Sequence, residues 1–425
     1  MSARGGPSGL VLIVSRSLRQ HKLSSCITIM SVALACGLVM AVFSVKTQTH
    51  DAFTGGSVGF DAVLGARGSQ LQLVLNTIFH LETSPGNIPW TVYKAVEKDR
   101  RVELAIPYAV GDNYHGFRIV GTTEDIFTKF EYQEGKKFQV QADGRFFKPD
   151  LREAVIGSFV AQKTGLKLGD KFNPYHGLNF DEKNQHAEIY LVVGVLESTN
   201  SPSDRVIWIP LEGIYRMKGH VWNVGGKEFE AKVGEDIPDD YKQVSAVMLK
   251  LKNPGMSGMS MSQEVNKQGK DFTLAWPIAR VMADLFDKIG WIDRVLEMIA
   301  YLVVVVASGS ILASIYNTMN ERRREFAILR ALGARRATVF STIVVEAATI
   351  AGLGSLFGFL VYGVIMGSAA AVIRGQTGVV LDVLQFHPVL VATPLGMIVI
   401  GGLAGVIPAI KAYGTDVAST LAPAS

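Results

Sequence analysis

Four apolar runs, each long enough to cross a lipid bilayer, constrain the fold of this chain more than any other feature. They cover residues 23–45, 298–319, 339–372 and 388–410. Because an α-helix rises about 1.5 Å per residue, about 20 apolar residues span the hydrocarbon core of a membrane. The runs therefore predict four transmembrane helices, with one long polar region, residues 46–276, inserted between the first two. A signal peptide is the alternative for the first run, which is longer than the apolar segment of such peptides.

The composition agrees with a chain that lies partly in a membrane. The mean hydropathy is +0.25, and 48% of the residues are hydrophobic. The formal net charge is only +4, and the basic residues gather beside the apolar runs. They therefore indicate membrane orientation, and we expect no binding of nucleic acid. The two cysteines, Cys26 and Cys36, both lie in the first run, so the polar region cannot form an internal disulfide.

The connection of residues 320–338 is the strongest topology signal. It contains six arginines in the sequence NERRREFAILRALGARRAT, whereas the predicted extracytoplasmic loop of residues 373–387 contains only Arg374. Because Lys and Arg are retained on the cytoplasmic side, we expect this connection and both termini in the cytoplasm. Residues 1–22 then form an interfacial helix and residues 411–425 a cytoplasmic tail, while the polar region lies outside.

The same connection has the pattern of a short docking helix. Phe326, Leu329 and Leu332 recur at three-residue intervals, which predicts one apolar side, and Gly333 is typical of the position just past a helix. We expect Phe326 and Leu329 to contribute most of the docking energy, since apolar anchors usually outweigh peripheral charges. The neighbouring arginines contact either acidic groups of a partner or anionic lipid headgroups.

Glu346, in the third run, is a carboxylate in a membrane-length segment, and such groups are functional candidates. It lies about two turns from the basic connection, where it can reach water or an arginine of that connection. We therefore expect a structural role, with a direct part in transport as the alternative.

The polar region has the pattern of a folded α+β domain. Short β-type runs at residues 102–106, 117–120, 154–156, 189–195, 206–209 and 247–251 alternate with helical stretches at 90–98 and 158–164. Residues 277–297 then predict a stalk helix leading into the second span. Its apolar seam consists of Ile278, Val281, Leu285, Ile289, Ile292 and Leu296. An amphipathic helix packed on the domain's own core is the alternative.

Small residues recur at four-residue spacing in the last two spans. The pairs are Gly354/Gly358, Gly363/Gly367 and Gly401/Gly405. Such pairs allow helices to approach closely, either within one chain or between two chains of a dimer. The Gly/Ser/Met run of residues 254–262 predicts a mobile loop, with Cu(I) binding by its methionines as the alternative.

We expect no catalytic, metal-binding or cofactor-binding residues in this sequence. The eight histidines form no H-x-x-H pair, and no G-x-S-x-G sequence is present. The fragment Gly225-Gly226-Lys227 lacks the first glycine and the hydroxyl residue of a phosphate-binding P-loop. Energy for any transport must then come from a partner.

Residues 321–334, ERRREFAILRALGA, resemble the loop signature of the MacB/FtsX-type ABC transporter permeases. This family includes macrolide and peptide exporters, lipoprotein-release permeases and a cell-division permease. Phe326 stands where an aliphatic residue is usual. Residues 408–412, PAIKA, are similar to the family's closing motif, and residues 144–147, 154–157, 168–170 and 192–195 are similar to landmarks of its outer domain. Residues 65–89 and 171–188 show no such similarity.

The resemblance implies a permease subunit of the bacterial inner membrane that carries no ATPase of its own. It would pair with a second permease, identical or different, and with a cytoplasmic ATPase dimer that binds ATP and Mg²⁺; an adaptor or outer-membrane protein is a further expected partner. The resemblance places the ATPase-docking coupling helix at Glu321, Arg322, Arg324, Glu325, Phe326, Ile328, Leu329, Arg330, Leu332 and Gly333.

The implied function is mechanotransmission: ATP hydrolysis moves the extracytoplasmic domain, and an amphiphilic or lipid-linked molecule is exported or extracted from the membrane. One alternative is an ATP-driven regulator of an extracytoplasmic partner, such as a cell-wall hydrolase, without cargo. Another is a membrane sensor that uses no ATPase.

Overall fold

The computed structural model of the chain describes residues 7–54, 59–177, 181–217, 222–230 and 235–413. The predicted tail beyond residue 413 and residues 1–6 lie outside the described residues. The helices are α1 (Pro7–Gln20), α2 (Lys22–Thr54), α3 (Gln70–Thr77), α4 (Trp90–Glu97), α5 (Asp125–Thr128), α6 (Ser158–Thr164), α7 (Leu211–Tyr215), α8 (Pro254–Ser262), α9 (Ile278–Glu321), α10 (Arg323–Ala331), α11 (Arg336–Thr377) and α12 (Val389–Tyr413).

Four of these helices, α2, α9, α11 and α12, are long and apolar enough to cross a membrane. The most apolar stretches of the four helices have mean hydropathies between 2.2 and 2.5, and each helix includes nearly the whole length of one of the four predicted runs. The predicted stalk and second span are one continuous helix, α9, of 44 residues. No proline occurs within α9, so its backbone hydrogen bonding is uninterrupted by the residue that most often breaks a helix.

The polar region contains one large mixed sheet. Its strands are β1 (Ala62–Ala66), β2 (Ile88–Pro89), β3 (Val102–Tyr114), β4 (Phe117–Thr122), β5 (Glu153–Ile156), β6 (Lys171–Phe172), β7 (Tyr175–His176), β8 (Tyr190–Val195), β9 (Val206–Pro210), β10 (Trp222–Val224), β11 (Lys227–Phe229), β12 (Gln243–Val244), β13 (Ala246–Leu251) and β14 (Phe272–Ala275). The large sheet has the order β14-β1-β13-β3-β4-β9-β5-β8-β6, and β7 pairs with β3. The pairs β4·β9 and β5·β8 are parallel.

All six β-type runs of the sequence correspond to strands, namely β3, β4, β5, β8, β9 and β13. The central strand β9 is buried at every position, as expected where both faces of a sheet are covered. The two predicted helical stretches are α4 and α6. The sequence analysis missed β1 and β14, whose few residues become strands by pairing with each other across about two hundred positions of chain.

The Gly/Ser/Met run forms helix α8, so the prediction of a mobile loop is wrong. Tertiary packing explains the difference. A Cβ atom at Gly258 would lie 2.0 Å from Nε1 of Trp276, so glycine allows the indole to lie directly against this helix. Met261 is buried with 3% exposure, whereas Met256 and Met259 are exposed.

The described chain divides into two compact units. The first contains residues 1–48, 289–371 and 382–425, and the second contains residues 49–288 and 372–381. The second unit thus includes the end of α2, the beginning of α9 and the end of α11 in addition to the sheet. Its core is built on buried side chains of the sheet, including Trp208 of β9 and Tyr190 of β8.

Glycines let the helices of the first unit approach closely within one chain. A Cβ at Gly354 would lie 2.5 Å from Cβ of Val32 on α2, and one at Gly358 would lie 2.9 Å from Cβ of Cys36. On α12, a Cβ at Gly401 would meet Cβ of Ala351 at 2.5 Å, and one at Gly405 would meet Cβ of Ala347 at 2.7 Å. The intrachain alternative therefore holds for these two pairs. At Gly363 and Gly367 no heavy atom lies within 4 Å of the added Cβ.

We predict that Gly354→Ala destabilises the first unit by about 1–3 kcal/mol, because the added methyl overlaps Val32 in a packed interface. The matched control is Gly363→Ala on the same helix, where the added methyl meets open space. The control should leave stability unchanged or raise it by up to about 1 kcal/mol through helix propensity. Thermal unfolding of the two variants in detergent tests this; equal melting temperatures would contradict the packing argument.

Candidate functional site

The short helix α10 connects α9 to α11. It has nine residues, Arg323–Ala331, with Arg322 at its N-cap position. At its end, the amide of Gly333 donates to the carbonyl of Arg330 and the amide of Ala334 donates to the carbonyl of Leu329, both at 3.0 Å. Gly333 has φ +96°. This pair of bonds with a left-handed glycine is a Schellman motif, so the predicted helix stop at Gly333 is confirmed.

The faces of α10 differ from those that the sequence predicts. Phe326 is only 7% exposed and Ala327 only 4%, so both side chains face their own chain. The exposed apolar side chains are Ile328, at 45%, and Leu332, at 80%, while Leu329 is half-buried. Phe326 is used in intrachain packing, so its ring is not the exposed anchor that the sequence pattern predicts.

A buried polar network holds the beginning of α10. The Nη1 atom of Arg322 donates to Oγ of Ser17 on α1 at 2.6 Å and to Oε2 of Glu346 on α11 at 3.3 Å. The hydroxyl of Ser17 in turn donates to Oε1 of Glu346. The guanidinium also lies 5.0 Å from the ring centroid of Phe326. The network thus connects three helices through one arginine.

Burial gives this network its importance. Arg322 is 6% exposed and Glu346 is 5% exposed. Two charges removed from water need good geometry and further hydrogen bonds, and loss of one partner leaves the other buried and uncompensated. Arg322 therefore cannot present its charge to a partner protein or to lipid in this arrangement, which corrects its predicted role. Glu346 contacts an arginine of the connection, one of the two contacts that the sequence analysis expected.

The remaining charges of the predicted docking set lie at the end of α9 and along α10. Glu321, Arg323, Arg324 and Glu325 are exposed, and Arg330 is half-buried. Glu325 also accepts a hydrogen bond from Nε of Arg322 at 3.1 Å. Basic side chains therefore lie beside the exposed apolar pair Ile328 and Leu332.

The predicted seam of α9 differs along its length. In the second unit, Ile278 and Val281 are buried and Leu285 is half-buried. In the first unit, Ile289, Ile292 and Leu296 are 38%, 41% and 44% exposed. The seam thus packs on its own unit at the start of the helix and is uncovered further along.

Three aromatic contacts in the second unit have no signal in the sequence. Phe53, near the end of α2, stacks on Phe79 with centroids 4.7 Å apart and meets Phe286 of α9 at 5.7 Å. Near the end of α11, the guanidinium of Arg374 lies 5.5 Å from the ring centroid of Phe159 on α6. Arg374 entered the sequence analysis only as a topology signal, since a cation–π contact leaves no periodic pattern in a sequence.

Two family models match the chain. The model of the MacB-like periplasmic core domain matches residues 25–255, and that of the FtsX-like permease C-terminal region matches residues 297–417. The first alone covers more than half of the 425 residues. The second match includes most of α9 and all of α10 and α11.

Two curated relatives are both macrolide export ATP-binding/permease proteins MacB. The relative from Nitrobacter winogradskyi is 31% identical over 120 residues, which are 28% of this chain and 18% of the relative. The relative from Bdellovibrio bacteriovorus is 24% identical over 225 residues, which are 51% of this chain and 32% of the relative. The chain thus spans about a third or less of the length of these relatives.

Among solved structures, the periplasmic region of MacB from Actinobacillus actinomycetemcomitans matches with 12% identity and a TM-score of 0.34, covering 54% of this chain and 94% of that one. The extracellular domain of the noncanonic ABC-type transporter YknZ from Gram-positive bacteria matches with 17% identity and a TM-score of 0.28, covering 50% and 97%.

These findings define a multi-pass membrane protein with a large extracytoplasmic domain. The chain belongs to the MacB/FtsX-like permeases: it is a permease component of the MacB/FtsX type whose domain between the first two spans is of the MacB periplasmic core kind.

We predict that Glu346→Gln destabilises the protein by about 3–5 kcal/mol, because it keeps the shape of the side chain and removes the buried counter-charge of Arg322, which then keeps only the exposed Glu325 as a carboxylate partner. The matched control is Glu325→Gln, which removes the other carboxylate partner of the same arginine. The Glu325 side chain is 51% exposed, and loss of such a pair costs about 0–1 kcal/mol. Thermal unfolding in detergent compares the two; similar losses would contradict the assigned role of burial.

Proposed function

We propose that this permease transmits ATP-driven motion from a cytoplasmic ABC ATPase to its extracytoplasmic domain, and that α10 is the coupling helix on which the ATPase acts. The single observation that carries the proposal is the arrangement of α10: it presents the exposed apolar pair Ile328 and Leu332 among arginines and is anchored from behind by the buried Arg322–Glu346 pair. A docking helix needs both an accessible apolar anchor and a rigid attachment, since force passes only through a fixed contact.

The positive charge of α10 agrees with its proposed position on the cytoplasmic side of the membrane. Arg323 and Arg324 are exposed on this helix, and basic residues beside membrane spans are retained in the cytoplasm. Both termini then also lie on that side. We propose that the arginines meet acidic groups on the ATPase or headgroups at the membrane surface, while the apolar pair supplies the main contact energy.

The continuity of helix α9 supports the proposal that motion is transmitted along the chain. Helix α9 extends without interruption from residues of the second unit into residues of the first. The aromatic contacts of Phe53 with Phe286 and of Arg374 with Phe159 attach further helix ends within the second unit. We propose that a displacement at α10 is passed along α9 and that these contacts carry it into the sheet.

We further propose that a second copy of this chain covers the exposed part of the α9 seam. Ile289, Ile292 and Leu296 present apolar side chains at alternating spacings of three and four residues, the pattern by which two helices pack along a seam. Helix α9 would then be the central contact of a permease dimer.

The names of the relatives support a proposal for the chemical class of the cargo. The two curated relatives carry macrolide export in their names, so we propose an amphiphilic or lipid-linked molecule that is exported or extracted from the membrane. ATP and Mg²⁺ would be bound by the ATPase. Control of an extracytoplasmic enzyme by the same motion, without cargo, would be recognised by a stoichiometric protein partner bound to the outer domain.

We predict that the variant Ile328→Asp/Leu332→Asp weakens association with the ATPase by at least about tenfold, because loss of a central apolar anchor costs about 2 kcal/mol or more. Co-purification from the native membrane in mild detergent, with quantification of the ABC ATPase by mass spectrometry, measures the effect. Leu151→Asp is the matched control, since it places the same charge on a 47% exposed leucine of the outer domain. Undiminished ATPase recovery with the α10 variant would overturn the docking assignment.

We predict that Ile292→Cys, in a Cys26→Ala background, forms a disulfide-linked homodimer on mild oxidation in membranes. Cross-linking requires Cα atoms within about 7 Å, which a shared seam provides. The matched control is Arg294→Cys, which is also exposed and points about 200° around the helix from residue 292. Non-reducing gels report the yield. Equal yields at the two positions, or none at either, would contradict a homodimer through this seam.

A further inference from the structure

Three potential metal ligands meet in the extracytoplasmic domain, where two histidines from residues 171–188, which resemble no family landmark, lie beside an aspartate of β3. They are Asp112 of β3, His176 of β7 and His186, and their ligand atoms all lie within 4.8 Å of one another. Sequence reasoning expected no metal centre, because Asp112 and His186 are 74 positions apart and no local motif joins them. The pairing of β7 with β3 brings Asp112 and His176 together, and a bridge between Tyr175 and Gln185 places His186 beside them.

The backbone explains how the three side chains converge. The register of β3 shifts between Val110 and Asp112, a bulge of the kind that redirects a side chain. Asp112 then stands directly opposite His176 in the antiparallel pair β3·β7, and directly opposite residues lie on the same face. His186 is held near by its amide, which donates to the carbonyl of Pro174 at 2.8 Å.

Further hydrogen bonds fix the segment that carries the two histidines. The side-chain amide of Asn173 donates to the carbonyls of His186 and Glu188 at 3.1 and 3.0 Å. The side-chain amide of Asn113, next to Asp112, donates to the carbonyl of Gly177 at 2.8 Å. The three ligands therefore stand on backbone that is tied together on both sides, which is the preorganisation that a metal site requires.

The distances favour a shared metal ion. Nδ1 of His176 and Nε2 of His186 each lie 3.3 Å from the same oxygen, Oδ1 of Asp112. The contact of His186 with Asp112 is also a hydrogen bond, longer than the about 2.7–2.9 Å that is typical of charge-assisted ones. Ligand atoms on a tetrahedral Zn²⁺, with bonds of about 2.0–2.1 Å, are separated by about 3.3–3.4 Å. The observed spacing is thus that of two neighbouring edges of a zinc coordination tetrahedron.

The burial of two ligand side chains and the exposure of the third also agree with a metal site. The Asp112 side chain has no solvent exposure and that of His186 has 7%, whereas that of His176 has 57%. A divalent cation would add to the compensation that the buried Asp112 carboxylate already receives from its protein partners. The exposed histidine provides the side from which a hydrated ion can approach.

We propose that Asp112, His176 and His186 bind one divalent transition-metal ion, Zn²⁺, through Oδ1, Nδ1 and Nε2. Two imidazoles and one carboxylate are a donor set that suits Zn²⁺ and disfavours Ca²⁺ and Mg²⁺, which prefer oxygen ligands alone. The ion ties the segment of residues 171–188 to β3 and so stabilises this edge of the outer domain. The site does not depend on the proposed coupling function.

Zinc binding is tested on the full chain, purified in detergent without a histidine tag and stripped with a chelator. Titration with Zn²⁺ should give one ion per chain, and Co²⁺ should give the visible absorption bands of a tetrahedral complex. Thermal unfolding should shift to higher temperature when Zn²⁺ is present, since the ion binds the folded state.

The variants Asp112→Asn and His176→Gln should each lower the Zn²⁺ affinity at least about tenfold. His176→Gln changes an exposed side chain and so keeps the test valid if Asp112→Asn does not fold. The matched control is His115→Asn, a nearby exposed histidine outside the cluster whose φ of +47° asparagine tolerates; it should bind Zn²⁺ normally. Absence of stoichiometric binding by the wild-type chain, or equal affinity in the control and the cluster variants, overturns the proposal.

Discussion

The buried pair of Arg322 and Glu346 is the interaction on which the membrane part of this protein depends. Nη1 of Arg322 lies 3.3 Å from Oε2 of Glu346, and the two residues are 6% and 5% exposed. Such a pair gains little net stability over apolar packing, because removal of both charges from water is costly. What it supplies is position: Ser17, Arg322 and Glu346 come from three different helical segments, so α10 is held in one place.

This attachment explains why a helix of only nine residues persists between two long spans. So short a helix is marginal in isolation, and its interior faces its own chain through Phe326 and Ala327. The Schellman motif at Gly333 completes its end. With Phe326 and Ala327 buried, the exposed side chains of Ile328 and Leu332 and the surrounding charges remain accessible to a partner. The proposed docking surface is thus the face that intrachain packing leaves exposed, and a helical pattern alone cannot distinguish the two faces.

The sequence predicted the large elements well because their signals are local. Four apolar runs became four long helices, and six β-type runs became strands. Prediction was poor where a contact between distant segments decides the outcome. Helix α8 forms although its local sequence has little helical pattern, and Gly258 lets the indole of Trp276 pack directly against it. Strand β1 forms by pairing with β13 and β14. The cluster of Asp112, His176 and His186 is a further case, since only strand pairing creates it.

By itself, the sequence determined the number of spans, the place of the inserted domain and the family, because hydrophobic length, charge and a continuous motif are all written in neighbouring residues. The tertiary structure decided which side chains of that motif face inward. Phe326 and Arg322 belong to the same motif as Ile328 and Leu332, yet the first two are buried and the last two exposed. The physical reason is that burial depends on the helices that pack against this motif, α1 from the start of the chain and the next helix, α11, and their packing is not written in the motif's own residues.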